Sequence, residues 1–254
     1  MPSIITVETI SKAFHVPSVR RDTLREHVLD LFRPRSVDRM TVLDGVSFSV
    51  QPGETLGIMG RNGSGKSTLL RIVSGIYQAD RGRVITRAPV TPILELGVGW
   101  NAELDAIDNI YLIGSIMGLS LREIRAGISD ILAFAELERF AQLKLRHYSS
   151  GMGARLAYSI AFKAVREILI LDEIFAVGDE GFQRRCKERY HELKAAGHTV
   201  LLVSHDPKLI TELCDRVILL EQGRVHVEGA PGPVCEAYLD VTAHRASPEP
   251  MSAT

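Results

Sequence analysis

Short apolar runs alternate with longer amphipathic segments along much of this 254-residue chain. Three of the runs, Thr55–Met59, Glu167–Asp172 and Thr199–Ser204, are almost continuously apolar, which is typical of strands buried on both faces of a parallel sheet. Segments with helical periodicity, Ser67–Ser74 and Phe182–Ala196, follow two of these runs. This alternation of strands and helices predicts an α/β fold with a parallel sheet.

The N-terminal segment has a different pattern. Ile4–Val7 and Val42–Val50 predict strands, and the second alternates apolar residues toward one face. Between them, Ser18–Phe32 carries apolar residues at helical spacing, and Pro34 follows it as a helix-ending signal. The segment therefore predicts two strands separated by an amphipathic insert.

The alternating pattern of strands is absent from the middle of the chain. Helical periodicity appears in Asn109–Met117, Leu121–Ala133 and Gly153–Lys163. Toward the C-terminus, Val217–Leu220 and Arg224–Glu228 flank a turn and predict a hairpin. The predicted organisation is a core of residues 1–94 and 166–240, a helical subdomain of residues 95–165, an amphipathic insert at residues 18–39 and a flexible tail at residues 241–254.

Charge and cysteine content exclude several classes of protein. Lys+Arg 30 against Asp+Glu 31 gives a net charge of -1, so the chain lacks the basic footprint of most nucleic-acid-binding proteins and we expect no nucleic-acid partner. The cysteines, Cys186, Cys214 and Cys235, lack metal-ligand spacing and predict reduced thiols. We see no signal peptide, and the apolar runs are far shorter than the ~20 residues of a membrane span.

A glycine-rich loop follows the first buried strand. Its sequence, Gly60–Ser67, matches a phosphate-binding loop at every fixed position and lies between a predicted strand and a predicted helix. Lys66 is expected to reach the β- and γ-phosphates of a nucleotide, and Ser67 is expected to hold Mg²⁺. The residues expected to bind the nucleotide here are Gly60, Arg61, Asn62, Gly63, Ser64, Gly65, Lys66, Ser67 and Thr68.

Acidic residues end the second buried strand, and a histidine ends the third. Asp172 is placed to hold Mg²⁺ through water, and Glu173 is placed to orient the attacking water as a general base. His205 follows the third strand. Together with the phosphate-binding loop, these residues predict a nucleoside triphosphatase.

Three further motifs identify a family. Tyr148–Met152, at the start of a predicted helix, resembles the signature motif Leu-Ser-Gly-Gly-Gln of ABC-type ATPases. Ala176–Asp179 resembles their D-loop, and Ser204–Asp206 resembles the segment that carries their switch histidine. The motifs keep the family's order from Ile4 to about Tyr238, which is nearly the whole chain.

The resemblance implies a P-loop NTPase core with an N-terminal antiparallel β subdomain and an inserted α-helical subdomain, and it implies ATP and Mg²⁺ as cofactors. In this family two cassettes face head to tail, so a homodimer is expected. Ser149, Ser150 and Gly151 would then bind the γ-phosphate of the partner's ATP, at the positive end of their helix. Asp179 would bridge the two subunits. His205 would contact the γ-phosphate within its own subunit.

Two assignments have an open alternative. Phe14 lies where the family has an aromatic residue that stacks on adenine, and the alternative is a core aromatic. The insert at residues 18–39 carries six arginines and four acidic residues between Arg20 and Arg39, which gives a net charge of +2. Such a helix fits contact with a membrane partner or anionic headgroups, and the alternative is a solvated helix packed on the cassette.

Two departures from the family pattern narrow the resemblance. The signature has Ser150 and Met152 where the family has glycine and glutamine, and Glu95 takes the place of the Q-loop glutamine. Because Glu95 occupies the glutamine's place, the resemblance implies it as a candidate Mg²⁺ ligand, although its carboxylate adds a charge that the family's amide lacks. Both departures resemble the ATP-binding subunits of polysaccharide exporters, the group that handles O-antigen, capsule and teichoic acid.

This subgroup implies an ATPase that lies peripherally on the cytoplasmic face of the inner membrane and powers a permease dimer that moves a lipid-linked polysaccharide. The alternatives are another ABC transporter, a soluble ABC ATPase acting on nucleic acid or ribosomes, and a binding-only regulator. Because the predicted fold ends near Asp240, we expect no fused carbohydrate-binding domain, and the polysaccharide would be recognised elsewhere.

Overall fold

The computed structural model describes residues 2–17, 37–94, 99–173, 175 and 178–244. Within these ranges the strands form two sheets. The strands are β1 (Ile5–Pro17), β2 (Val37–Val50), β3 (Thr55–Met59), β4 (Arg81–Thr86), β5 (Val90–Ile93), β6 (Ile168–Asp172), β7 (Thr199–Val203), β8 (Arg216–Glu221) and β9 (Arg224–Gly229). The α-helices are α1 (Lys66–Val73), α2 (Ala106–Ile116), α3 (Leu121–Ala135), α4 (Ser150–Lys163), α5 (Glu180–Ala195), α6 (Pro207–Leu213) and α7 (Pro231–His244).

The larger sheet has the strand order β5-β6-β7-β3-β8-β9. Pairing is parallel from β5 to β8, and β9 closes the edge as the antiparallel arm of the predicted hairpin. All residues of β3 and β7 are buried, since apolar clusters cover both faces of the sheet. The α/β fold and the three buried strands predicted from the sequence are confirmed.

The smaller sheet is antiparallel, with the order β2-β1-β4. β1 pairs with β2 from Ile5 opposite Val50 to Pro17 opposite Val37, so the two strands form a ribbon that extends past β4. Both strands are longer than predicted. Because β2 begins at Val37, residues 37–39 of the predicted insert belong to a strand. The predicted helix Ser18–Phe32 lies outside the described residues.

The helical subdomain is built from α2, α3 and α4, which enclose a separate apolar cluster around the buried Ile110, Ile124 and Ile160. The predicted helices are confirmed, although α2 and α4 begin three residues earlier than predicted. The reason is side-chain capping, because Asp105 accepts a hydrogen bond from the backbone of α2 and Ser149 accepts one from the backbone of α4.

The C-terminal helix α7 was not predicted. Its buried Val234 and Cys235 pack on the same cluster as α5 and α6. The helix continues to His244, so the predicted tail cannot begin at residue 241, and residues 245–254 lie outside the described part of the chain. None of the helices found in the described residues combines the length and apolarity needed to cross a bilayer.

Candidate functional site

The glycine-rich loop connects the end of β3 to the start of α1, at the carboxyl edge of the parallel sheet. Gly60 and Gly65 have φ angles of 153° and 106°. A Cβ on Gly60 would lie 2.3 Å from the carbonyl oxygen of Leu220, and a Cβ on Gly65 would lie 2.7 Å from Cδ2 of Leu43. Because any side chain at these positions would be strained and would clash, glycine is required for the loop to keep its shape.

The N-terminus of α1 lacks the side-chain cap that five of the other described helices have. Helices α2 to α6 each have a capping side chain, from Asp105, Ser120, Ser149, Asp179 and Asp206. Within the described ranges, no side chain caps α1, and its first turn contains no acidic residue. Its first backbone N–H groups and the positive end of its dipole therefore fit an anion such as a phosphate.

Lys66, the first residue of α1, folds back over the loop. Its ammonium group donates hydrogen bonds to the carbonyl oxygens of Gly60 at 2.6 Å and Arg61 at 3.0 Å. Burial lowers the pKa of Lys66, and the nearby carboxylates of Glu173 and Asp172 oppose this by favouring the charged form. The loop thus holds a largely buried cation close to the uncapped helix end.

An open cleft of about 600 Å³ lies above the loop. Met40 and Val42 of β2 form one wall, and Asp172 and Glu173 close the other end. The loop residues that line it are Asn62, Gly63, Gly65, Lys66, Ser67 and Thr68. Of the loop residues predicted to bind the nucleotide, Gly60, Arg61 and Ser64 do not line this cleft, and Ser64 is buried.

Asp172 ends β6 and faces Ser67 across the base of the cleft. Burial raises its pKa, and so does the adjacent Glu173, while Lys66, Arg71 and a hydrogen bond from Ser67 act in the opposite direction. Among the described residues, no three His, Cys, Asp or Glu side chains cluster to hold a metal. One hydroxyl and one carboxylate nevertheless fit Mg²⁺, which prefers oxygen ligands and keeps several positions for water and phosphate.

Glu173 and His205 follow neighbouring parallel strands, β6 and β7. The carboxylate of Glu173 lies 2.9 Å from Nδ1 of His205. Glu173 lines the cleft, whereas the exposed side chain of His205 is not among its lining residues. The backbone of Glu173 has φ of 51°, and its N–H group donates to the carbonyl oxygen of Val203 at 3.1 Å. Such a backbone conformation is strained for a glutamate, and strain of this kind clusters at functional sites.

The predicted signature residues lie at the exposed start of α4. Ser149 accepts a hydrogen bond from the N–H group of Met152 at 3.2 Å, and Ser150 and Gly151 are exposed beside it. Ser149 and Ser150 line a groove of about 380 Å³ together with Trp100, and this groove shares no residue with the cleft above the loop. The structure therefore does not bring the signature residues into the same cleft as the phosphate-binding loop.

A comparison with protein families decides what kind of protein this is. The family model described as ABC transporter matches residues 43–176, which include the loop, the signature and the acidic strand end. The chain belongs to the ABC transporter family. It is an ABC-type ATPase subunit, as the motifs predicted.

Curated relatives place this ABC ATPase subunit among homologues of polysaccharide-export proteins. It is 35% identical to the O-antigen export system ATP-binding protein RfbB of Klebsiella pneumoniae, over 96% of this chain and 100% of that protein. It is 43% identical to the ABC transporter protein AbcA of Aeromonas salmonicida, over 77% of this chain and 64% of that one. The teichoic acids export ATP-binding protein TagH of Levilactobacillus brevis is 37% identical, over 94% of this chain and 65% of its own length. The chain thus spans all of one relative and less than two thirds of the other two.

Solved structures confirm the cassette fold. An ATP-binding subunit of an ABC transporter superimposes with a TM-score of 0.74 at 24% identity, and covers 96% of this chain and 99% of that one. A dimeric ATP-binding cassette in a post-hydrolysis state, bound to ADP and Pi, superimposes with a TM-score of 0.71 at 22% identity, covering 89% and 98%.

Phe14 of the cassette lies on β1 directly opposite Met40 of β2, whose side chain lines the cleft. The ring of Phe14 packs edge-on against Tyr77 at 6.0 Å, and the ammonium group of Lys12 lies 5.6 Å from its centre. Asp80 holds this end of β1 by accepting hydrogen bonds from Lys12 and from the backbone of Ala13. Phe14 is partly buried and is not among the residues that line the cleft, so its stacking on adenine stays a prediction beside the alternative of a packing aromatic. The sequence did not single out Met40, because its placement depends on the pairing register of two strands.

Of the remaining predicted residues, Asp179 is described by the structure and Glu95 is not. Asp179 caps α5, with its carboxylate accepting from the N–H group of Phe182 at 2.9 Å, and this hydrogen bond lowers the pKa of Asp179. Glu95 lies outside the described residues, as do Ala176 and Val177 of the D-loop.

Proposed function

We propose that this chain is the ATP-hydrolysing subunit of an ABC transporter that exports a lipid-linked polysaccharide. The relatives named for O-antigen and teichoic acid export support the transport part, above all the one matched along its full length. The hydrogen-bonded pair of Glu173 and His205, beside the loop that carries Lys66, supports the hydrolytic part. The chain would lie on the cytoplasmic face of the membrane, bound to a permease dimer.

Nucleotide binding would use both walls of the cleft. The backbone of the loop, the uncapped end of α1 and Lys66 would hold the phosphates. Phe14 would stack on the adenine, next to Met40 on the facing strand. Ser67 and Asp172 would hold Mg²⁺, which when bound neutralises negative charge on the β- and γ-phosphates. Glu95 stays a proposed ligand of the same ion.

Hydrolysis would depend on Glu173. Its carboxylate would accept the proton of the water that attacks the γ-phosphate, while His205 would fix the carboxylate through Nδ1 and contact the γ-phosphate itself. The strained backbone of Glu173 would aim the carboxylate into the cleft.

A complete site would need two copies of the chain. Ser149 and Ser150 line a different groove from Lys66 within one copy, and Gly151 is exposed beside them, so a second copy arranged head to tail would bring its signature helix to the ATP. A homodimer with two-fold symmetry would build two such sites, and Asp179 would lie at the boundary between them.

Mixing two inactive variants should restore activity if the sites are shared. Lys66→Ala removes the phosphate ligand on one side, and Gly151→Asp places a negative charge where the partner's phosphate would bind. A Cβ on Gly151 meets only Ser149 Oγ, at 3.9 Å, so this variant should fold. We expect an equal mixture to recover about a quarter of the wild-type ATPase rate, because half of the dimers would be mixed and each would hold one intact site. No recovery on mixing would contradict the shared site.

The transport part is tested by purification from native membranes. We expect the tagged chain to copurify with an integral membrane protein, and its ATPase rate to rise when lipid-linked polysaccharide is added to the complex. The Lys66→Ala variant, purified in the same way, controls for stimulation that does not need this site. Copurification with nucleic acid or ribosomes, without a membrane partner, would overturn the proposal.

A further inference from the structure

One carboxylate joins three helices of the cassette. Glu136, the residue that ends α3, lies 3.1 Å from Nη1 of Arg155 and 2.5 Å from Nη1 of Arg185. Arg155 belongs to α4, the signature helix, and Arg185 belongs to α5, the helix that Asp179 caps. The guanidinium group of Arg155 also lies 3.8 Å from the carboxylate of Asp179. The signature helix and the start of α5 are therefore connected through Glu136.

The backbone at Glu136 makes this choice of residue informative. Its φ and ψ are 58° and 43°, in the left-handed region, where a helix end usually has glycine. A glutamate there costs conformational energy that glycine would not. A long acidic side chain is thus present at a position where the backbone geometry alone favours glycine, which has no side chain.

The surroundings show that the two arginines are more than surface charges. Their side chains are only 21% and 26% exposed, and Arg185 lies over the ring of Phe182 at 5.6 Å. The hydrogen bond from Arg185 lowers the pKa of Glu136, so the carboxylate stays ionised. By contrast, the pair of Arg184 and Glu188 on the same helix is 4.0 Å apart and 78% and 64% exposed.

We propose that Glu136 is a positioning residue that couples the signature helix to Asp179, so that both elements reach the partner subunit's nucleotide as one unit. The inference rests on the proposed function, because it assumes that Ser149–Gly151 and Asp179 act across a dimer. Glu136 itself lies in neither the phosphate-binding loop nor the cleft. Its loss should therefore affect dimer formation and turnover while leaving nucleotide binding by one subunit intact.

Two substitutions separate this role from a structural one. Glu136→Gln removes the charge and keeps the strained backbone, whereas Glu136→Gly removes the carboxylate and relieves the strain. We expect both to lower kcat for ATP at least tenfold, with the affinity of the monomer for a fluorescent ATP analogue within twofold of wild type. Glu136→Gly should melt at or above the wild-type temperature. Glu188→Gln is the matched control and should keep the wild-type rate.

The second readout is dimerisation, measured by size-exclusion chromatography in the presence of ATP. The Glu136 substitutions are added to a Glu173→Gln parent, which is expected to hold ATP and stay dimeric. If the parent does not dimerise, the proposed function fails and the inference fails with it. If the parent dimerises and the added Glu136 substitutions leave dimerisation and kcat unchanged, the inference alone is wrong. Loss of ATP binding by the Glu136 monomers would also overturn it, since it would place the residue in the support of the cleft.

Discussion

Glu173→Gln should bind ATP and form a stable dimer, but its hydrolysis rate should fall by about two to four orders of magnitude. An amide keeps the size of the side chain and a hydrogen bond to His205 but cannot take the proton of the attacking water, and general-base catalysis typically contributes a factor of this size. Single-turnover hydrolysis, measured beside ATP-dependent dimerisation, separates the chemical step from binding.

Glu167→Gln is the matched control for this substitution. Glu167 lies just before β6, at the end of the strand opposite to Glu173, and it is exposed. Its substitution should leave turnover at the wild-type value. If Glu173→Gln hydrolyses ATP at the wild-type rate, another group accepts the proton and the assignment of Glu173 is wrong.

Lys66→Ala should weaken ATP binding by roughly one to two orders of magnitude. A hydrogen bond to a charged group is worth about 1.5–3 kcal/mol, and the substitution also leaves the carbonyl oxygens of Gly60 and Arg61 without the ammonium group that they now contact. Titration calorimetry with ATP measures the change directly.

Lys163→Ala tests whether any lysine would have the same effect. Lys163 ends α4 and pairs with Asp130 at 3.0 Å, away from the cleft. We expect its ATP affinity to match the wild type. Unchanged affinity in Lys66→Ala itself would contradict the phosphate-binding role of the loop.

The central strands could be predicted because burial on both faces leaves a strong pattern in the sequence. β3 was predicted with its observed bounds, and β6 and β7 to within one residue. Two of the edge strands, β4 and β5, could not. β4 is largely exposed and shows no alternation, and β5 has only four residues and contains Pro92, which is tolerated because the strand lies at the edge of the sheet.

The residues of the candidate site also divide into those that the sequence predicts and those that it does not. Lys66, Asp172 and Glu173 could be predicted because their spacing from the strand ends follows from the chemistry of phosphate binding. Met40 and Glu136 could not, because their roles depend on which strand faces which and on which helix ends meet. Such contacts join residues far apart in the chain and leave no local pattern.

The tight packing of the phosphate-binding loop has one further consequence. The loop is held from outside, since Gly65 leaves room for the carbonyl oxygen of Val42 and the N–H group of Gly223 donates to the carbonyl oxygen of Ser64 at 3.1 Å. The free-energy cost of ordering the loop is therefore met when the chain folds. ATP binding does not have to offset that cost a second time. Substitutions in the turn between β8 and β9 can thus change nucleotide affinity without contacting the nucleotide. Selection for stability and selection for nucleotide binding therefore act on the same residues of this turn.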